Sequence, residues 1–350
     1  MSIQFLPFDR TALPPPVERL ASPAVVARWR DVDRSASNPL LAVVTDADGE
    51  WLAAALVTAR PHTAYLKMVD AVGTEAGIDA VVEAVVARAR ADGLVAVKWE
   101  GPHGGPDRGF VSLRAPSVSG PGTDFPIAGS VRWLVPEVVL HPVRYYRQIT
   151  HYTCGAVTAL SALAALPGAD GQDVDADREM DFWKEATNHP ACEPVGLGVA
   201  LARRRPDLKV DIFLDTERPV ILEHLDGEEQ AWRADLQTES RHEAAGLGIP
   251  IASWRLSVAQ ISEAVGSGTQ ALLLLSLARM RGMAVPHWVR CCGTAGDALV
   301  IDDPAVDPLV GESWVDGHLL PVAAAELDLM AAYGSDGYRG VVFVAAGVAT

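Results

Sequence analysis

The sequence predicts a two-domain protein of the α+β class, and three observations predict it. The chain has 350 residues, more than one hydrophobic core usually fills. Residues 40–99 alternate short apolar strands with one helix, which is typical of a smaller α/β module. A Gly- and Pro-rich stretch from Gly101 to Gly122 is typical of a linker. We therefore place the boundary between Pro136 and Pro142 and predict domains of residues 1–138 and 139–350.

The charge balance excludes two classes of partner. Lys and Arg number 29 against 45 Asp and Glu, a net charge of −16, which disfavours both nucleic acid and an anionic membrane surface as partners.

The longest strongly apolar run, Ala271–Ala278, is much shorter than the roughly 20 residues of a membrane span and predicts a buried strand. The first 20 residues lack the pattern of an export signal. We expect a cytoplasmic protein, and its oligomeric state stays open.

The cysteines and acidic residues predict no metal site. The four cysteines are Cys154, Cys192, Cys291 and Cys292. None forms a Cys-x-x-Cys pair, so we expect reduced thiols and neither a zinc module nor a disulfide framework. A group of acidic residues is formed by Asp175, Asp177, Glu179 and Asp181. It lacks the glycine and closing glutamate of a calcium loop and predicts a solvated helix start. We expect that the protein needs neither a metal nor an organic cofactor.

The first domain shows strands and a helix in the order β-β-β-α-β. Two strands flank a turn at Asp46–Gly49, a third covers Thr63–Val69, and a fourth covers residues 94–100. The helix between the last two has apolar residues at helical spacing and ends at Gly93. Its apolar positions are Ile78, Val81, Val82, Val85 and Val86.

This order resembles the core of the GNAT acetyltransferases. Those enzymes carry an Arg/Gln-x-x-Gly-x-Gly/Ala loop before the helix, where backbone amides hold the coenzyme A pyrophosphate. The equivalent residues here, VDAVGTEAGID at 69–79, have neither that spacing nor a basic residue. The sequence therefore predicts a GNAT-like module without acetyltransferase activity, used for packing or substrate recognition.

Cys154 is the leading candidate for a nucleophile. The run CGAVTALSALAAL has helical spacing of apolar residues and ends at Pro167-Gly168, which places Cys154 in the first helical turn. The positive end of a helix dipole favours a thiolate. Gly155 permits close approach of a substrate, and the Gln148 amide could donate to an oxyanion. The alternative is that Cys154 is a buried, packed thiol.

A predicted hairpin downstream supplies a base and a carboxylate. His287 opens one strand, a turn is predicted at Gly293–Asp297, and ALVIDDP forms the second strand. Pairing of these strands would bring His287 level with Asp303, where a carboxylate can orient the imidazole. Asp302 competes for this role, because adjacent strand residues point to opposite faces.

The order Gln-x5-Cys-Gly, a distant His-Trp-Val and a closing Asp-Pro resembles the C39-like group of papain-like cysteine peptidases. The stretches DREMDFWKEATN, ACEPVGLGVALARRRPDLKVDIF and LSVAQISEAVGSGTQALLLLS resemble further motifs of that group. The resemblance covers Arg147 to about Val344. Ala156 stands where the group commonly has proline, and Cys291-Cys292 replace apolar or hydroxyl residues.

The resemblance implies a papain-like fold and a role for each candidate. It makes Cys154 the nucleophile, His287 the general base and acid, Asp303 the orienting carboxylate, and Gln148 the oxyanion donor. Asp303 is favoured over Asp302 because in the family the residue before proline has this role. The residues that we expect to contact substrate are Gly155, Pro286 and Trp288.

Several other residues have both a functional and a structural interpretation. His151 could act as a local base, but we expect a solvent-facing loop residue. Cys192 could lie near Cys154, and a packed thiol is the preferred interpretation. Trp183, Trp254 and Trp288 are predicted to be core residues or pocket walls.

The predicted function is that of a cysteine-dependent hydrolase that cleaves a peptide or amide bond. An acyl or peptidyl transferase would use the same acyl-thioester with an amine or a carrier-bound substrate. A catalytically silent peptide-binding protein is the third alternative. The sequence names neither the substrate nor the acceptor.

Overall fold

The computed structural model describes residues 1–101, 104–116, 127–168, 173–187 and 191–347. The chain divides into two compact units. The first contains the described residues of 1–115 and 127–138, together with Val306–Asp316, and the second contains those of 139–305 and 317–347. The predicted domain of residues 139–350 differs from the second unit because Val306–Asp316 folds into the first.

The first unit is built on one mixed sheet. Its strands are β1 (Ser2–Pro7), β2 (Leu40–Thr45), β3 (Trp51–Thr58), β4 (Tyr65–Gly73), β5 (Ala96–Glu100), β6 (Val111–Ser112) and β7 (Gly129–Trp133). Its helices are α1 (Pro15–Leu20), α2 (Pro23–Asp31) and α3 (Glu75–Ala91). Within the described residues the strand order is β1-β2-β3-β4-β5-β7-β6, with β4 and β5 parallel and the other pairs antiparallel.

The two faces of this sheet bury alternate residues, as expected for strands. In β2, Ala42 and Val44 pack in the core that includes α3, whereas Leu41 and Val43 pack in the core that includes α1 and α2. The observed order β2-β3-β4-α3-β5 is the predicted one, and the helix starts at the Thr74 N-cap. The predicted linker Gly101–Gly122 lies partly outside the described residues, and its described part includes β6.

The second unit combines a largely antiparallel sheet with several helices. Its strands are β8 (Val138–Leu140), β9 (Leu208–Leu214), β10 (Ile251–Ala252), β11 (Gln270–Ser276), β12 (Pro286–Ala295), β13 (Ala298–Asp302), β14 (Leu320–Ala323) and β15 (Gly340–Ala346). The remaining helices are α4 (Cys154–Ala164), α5 (Ala176–Ala186), α6 (Pro194–Arg204), α7 (Gly227–Gly246), α8 (Val258–Gly266), α9 (Ala278–Arg281), α10 (Trp314–Gly317) and α11 (Ala324–Met330). Of these, α10 has its residues up to Asp316 in the first unit. Among described residues the strand order is β10-β9-β15-β11-β12-β13-β14, with β8 paired to β12. The pair β9 and β10 is parallel, and the other pairs along this order are antiparallel.

The hairpin of β12 and β13 differs from the predicted one at its turn. The predicted turn covered Gly293–Asp297, but β12 continues through Ala295 with a bulge between Cys291 and Gly293. A Cβ on Gly293 would lie 2.3 Å from the Val139 carbonyl oxygen of β8. Gly293 therefore permits the close approach of β8 to β12 and does not form the turn.

Helix α4 packs on β11 and β12 in the interior of the second unit. Every residue from Cys154 to Ala162 is buried, as expected for a helix that is apolar on all sides. The Thr158 hydroxyl donates to the Trp288 carbonyl oxygen of β12 at 3.1 Å. No helix in the described part of the chain is both long and apolar enough to cross a membrane.

Candidate active site

Cys154 is the first residue of α4, where backbone N–H groups lack partners within the helix. Its side chain is buried, with 6% of the residue exposed. Because α4 packs on β12 through the Thr158 to Trp288 hydrogen bond, the start of the helix lies close to the start of that strand. His287 is the second residue of β12.

The His287 ring contacts both Cys154 and Asp303. Its Nε2 lies 2.7 Å from Asp303 Oδ1, and the ring is also close enough to the Cys154 side chain to interact with it. Since Nε2 contacts the carboxylate, Nδ1 is the ring nitrogen that remains for the thiol. The structure therefore brings these three predicted residues together.

The surroundings of His287 favour a protonated ring. Burial alone would lower the pKa of His287, because burial disfavours the charged form. The Asp303 carboxylate outweighs burial and, with the Cys154 contact, raises the pKa of His287 from 6.5 to about 9. At neutral pH a positive charge therefore lies next to the Cys154 sulfur.

Backbone contacts hold Asp303 in place beyond the end of β13. Its N–H donates to the Gly317 carbonyl oxygen at 2.9 Å, and the Tyr145 hydroxyl donates to its carbonyl oxygen at 2.6 Å. The Ala305 N–H donates to Oδ1, the carboxylate oxygen that faces His287, at 2.8 Å. The carboxylate is thereby fixed from several directions.

Asp302 points to the opposite side of the strand. Its carboxylate lies 2.8 Å from His318 Nδ1 and 2.7 Å from Arg290 Nη2. Burial alone would raise the pKa of Asp302, but His318 and Arg290 hold that pKa well below its usual range. Of the two candidate carboxylates, it is therefore Asp303 that contacts His287.

Gln148 lies next to the segment that carries Asp303. Its backbone N–H donates to the Pro304 carbonyl oxygen at 3.0 Å. Its side-chain Nε2 donates to the Thr150 carbonyl oxygen at 2.6 Å. The amide is therefore tied to the turn that leads into Cys154.

A family described as Peptidase C39 like matches residues 143–345. The chain belongs to this family. The matched range contains Gln148, Cys154, His287 and Asp303, so the expected C39-like resemblance is confirmed. This C39-like protein is thus related to cysteine peptidases.

Solved structures similar to the N-terminal part of the C39-like protein are acetyltransferases. One is a Bacillus subtilis acetyltransferase in complex with CoA, with 9% identity, 38% of this chain and 100% of that chain covered, and a TM-score of 0.27. Another is a GNAT-family acetyltransferase from Staphylococcus aureus, with 8% identity, 38% and 99% covered, and a TM-score of 0.28. A comparison with curated proteins finds no match.

Two residues that we expected to contact substrate lie in the interior of the C39-like protein. A Cβ on Gly155 would lie 3.0 Å from Cys192 Sγ and 3.2 Å from Trp288 Cδ1. Trp288 is 1% exposed, and its indole N–H donates to the Cys192 carbonyl oxygen at 2.9 Å. Gly155 and Trp288 therefore form the packing behind Cys154. Pro286 is half-buried at the start of β12, beside His287.

The remaining sequence candidates lie outside the contact between thiol and imidazole. Cys192 packs behind Gly155, and burial raises its pKa to about 12, so it stays a thiol. His151 is exposed, as expected. Trp254 is 59% exposed, which contradicts its prediction as a core residue or pocket wall. Trp183 is half-buried.

Glu179 is the residue whose environment the sequence analysis missed. Asp175, Asp177 and Asp181 are exposed as predicted, but Glu179 is fully buried. The sequence does contain an indication of this burial. Glu179 lies on the same helix face as Phe182 and Ala186, which are both buried. Within the described residues, no group of three or more His, Cys, Asp or Glu is placed to hold a metal ion.

Proposed function

We propose that the protein is a papain-like cysteine hydrolase that cleaves a peptide or amide bond. The observation that carries the proposal is the chain of contacts from Cys154 through His287 to Asp303, with the cysteine at a helix N-terminus. A central helix that carries a thiol, packed on an antiparallel strand that carries an imidazole, supports the papain-like fold. Membership of the C39-like family supports the same activity.

In the first step, the Cys154 thiolate attacks the substrate carbonyl carbon and forms a C–S bond. The carbonyl electron pair moves to oxygen and gives a tetrahedral oxyanion. When that oxyanion collapses, the C–N bond breaks and protonated His287 gives its proton to the leaving amine. The products of this step are a free amine and a thioester on Cys154.

The oxyanion needs hydrogen-bond donors on the side of the carbonyl oxygen. The backbone N–H of Cys154 is one, because the first N–H groups of a helix have no partner within the helix. The Gln148 amide is the second, since one of its two N–H groups donates to Thr150 and the other remains for the substrate. Donors of this kind contribute about 10²–10³ in rate.

In the second step, neutral His287 takes a proton from water, and the hydroxide adds to the thioester carbonyl. The C–S bond then breaks, a carboxylic acid leaves, and the Cys154 thiolate and protonated His287 are restored. Asp303 keeps the ring oriented with Nδ1 toward sulfur throughout, as its bond to Nε2 requires.

Selective alkylation tests this proposal without a known substrate. Iodoacetamide at pH 7 should label Cys154 at least about 100-fold faster than the other cysteines, because the thiolate is the reactive form. The internal controls are Cys192, Cys291 and Cys292, which are all buried. His287→Ala should slow the labelling, and equal labelling of all four cysteines would contradict a thiolate at Cys154.

A peptide library then tests turnover. Wild-type protein should release cleaved products and carry an acyl group on Cys154 that mass spectrometry detects. Cys154→Ala should lose both signals, whereas Cys292→Ala should keep them. Cleavage by Cys154→Ala would exclude the mechanism.

A further inference from the structure

We infer that Glu179 is a positioning residue that holds the oxyanion donor and the nucleophile in register. This inference rests on the proposed function. Glu179 lies on α5, and among the described residues its hydrogen bonds go to neither Cys154 nor His287. Its carboxylate instead binds the turn of residues 149–153, which joins Gln148 to Cys154.

One carboxylate oxygen of Glu179 binds both ends of this turn. The Ile149 N–H donates to Oε1 at 3.0 Å, and the Thr153 hydroxyl donates to the same oxygen. Ile149 directly follows Gln148, and Thr153 directly precedes Cys154. A single atom therefore sets the separation between the two groups that must act on one substrate carbonyl.

Hydrogen bonds inside the turn continue from this anchor to Gln148. The Thr153 hydroxyl lies 3.0 Å from the Thr150 hydroxyl, and the Gln148 amide donates to the Thr150 carbonyl oxygen at 2.6 Å. Removal of the Glu179 acceptor would release Thr153 and Ile149 together. The Gln148 amide would then lose the fixed position that its hydrogen bond to Thr150 provides.

The Glu179 carboxylate is not needed to cap helix α5. Asp175 caps the helix by accepting from Arg178 N–H. Burial raises the pKa of Glu179, and the interactions with Thr153, Ile149 and Tyr146 oppose this rise. Burial of the carboxylate therefore costs free energy unless such donors are bound. The buried acid thus interacts with Tyr146, which precedes Gln148 by two residues, as well as with the two donors of the turn, and all three lie on the segment that leads into Cys154.

Alkylation of Cys154 and hydrolysis of a substrate should respond differently to a change at Glu179. A general loss of structure would remove both. His287 and Asp303 are held by β12, β13 and their own backbone contacts. Cys154 is also held by the packing of α4 on β12, so its contact with His287 should persist when Glu179 is replaced. Alkylation of Cys154 needs only that contact, whereas hydrolysis also needs the oxyanion donors. A change at Glu179 should affect hydrolysis and spare alkylation.

The test compares Glu179→Met with Glu179→Gln in the full chain. Methionine has a similar length but cannot accept either hydrogen bond strongly, so kcat for a cleaved library peptide should fall at least about 100-fold with little change in KM. The amide oxygen of glutamine can accept both bonds and should restore most of kcat. Iodoacetamide labelling of Cys154 should stay within about threefold of wild type in both variants.

Two further variants complete the test. Glu185→Met lies on the same helix and removes an exposed ion pair with Arg204, so it should leave kcat unchanged. Thr153→Val removes only the hydroxyl donor and should give a smaller kcat loss of the same kind, even if Glu179→Met does not fold. Wild-type kcat in Glu179→Met, or equal losses of labelling and hydrolysis, would overturn the inference. An unlabelled Cys154 in wild-type protein would instead overturn the proposed function.

Discussion

At the residue scale, the central feature is a buried imidazole between a thiol and a carboxylate. Burial alone lowers the pKa of His287, but the Asp303 charge raises it to about 9. The protonated ring with Asp303 therefore stabilises the fold below pH 6.5, and this contribution is lost as the pH rises through about 9. The same proton is the one that the leaving amine needs in the proposed mechanism.

Deprotonation of His287 should set the alkaline limb of the pH–rate profile. For wild type, kcat/KM should fall above an apparent pKa of about 9, because His287 loses its proton there. Asp303→Asn removes the charge that raises the pKa of His287, so this limb should move to lower pH. The rate at pH 7 should fall by up to about 10⁴-fold. The measurement is kcat/KM against pH for both proteins.

Asp302→Asn is the control for that experiment. It removes a buried carboxylate that binds His318 and Arg290 on the other face, so it should destabilise the fold and leave the alkaline limb near pH 9. If the alkaline limb moved to the same lower pH in both variants, Asp303 would not be the carboxylate that raises the pKa of His287.

At the element scale, the position of Cys154 depends on how closely α4 packs. Gly155 has no side chain, so α4 approaches Cys192 and Trp288 within van der Waals distance. The close packing fixes the helix N-terminus against β12, where His287 lies. The glycine after the cysteine therefore serves the packing of the helix, and its role in substrate approach stays a prediction.

Gly155→Ala should therefore be destabilising although alanine favours helices. The new Cβ would lie 3.0 Å from Cys192 Sγ, so we expect a loss of about 1–3 kcal/mol in the free energy of unfolding. Gly246→Ala, at the end of α7 with no atom within 4 Å, should be neutral or slightly stabilising. Denaturant unfolding of the two variants measures the difference, and equal stabilities would contradict the packing role.

At the scale of the whole molecule, the chain does not divide at a single boundary. Val306–Asp316 belongs to the first unit, where buried charges hold it. The Lys67 ammonium donates to Asp316 and lies 2.8 Å from Glu100, and the Tyr65 hydroxyl donates to Asp316 at 2.6 Å. A segment that follows the second-unit residue Ala305 is thus part of the fold of the first unit.

Lys67→Met should strongly destabilise the first unit. Lys67 is 1% exposed, and its removal takes away the cation that binds both the Asp316 and Glu100 carboxylates, which costs about 3–5 kcal/mol. Arg28→Met, which removes a half-exposed partner of Asp70 on the same strand, should cost less than about 1 kcal/mol. Calorimetry of thermal unfolding measures the Tm of the two variants. A similar decrease in Tm for Lys67→Met and Arg28→Met would contradict this prediction.

Local patterns determined much of what the sequence predicted correctly. The helix from Cys154, the buried strand near Ala271–Ala278 and the β-β-β-α-β order all follow from periodicity along the chain. Alternation along a strand also showed that only one of Asp302 and Asp303 could reach His287. Motifs spread over about 200 residues identified the C39-like family, which the match to residues 143–345 confirms.

Contacts between distant parts of the chain were decided only by the tertiary structure. That Glu179 is buried under the turn before Cys154, that Gly155 faces Cys192, and that Val306–Asp316 joins the first unit are all such contacts. The physical reason is that hydrophobic periodicity records which face of an element is buried, but not which element covers it. The environment of a charged or small residue depends on that covering element, so it emerges only when the chain is folded.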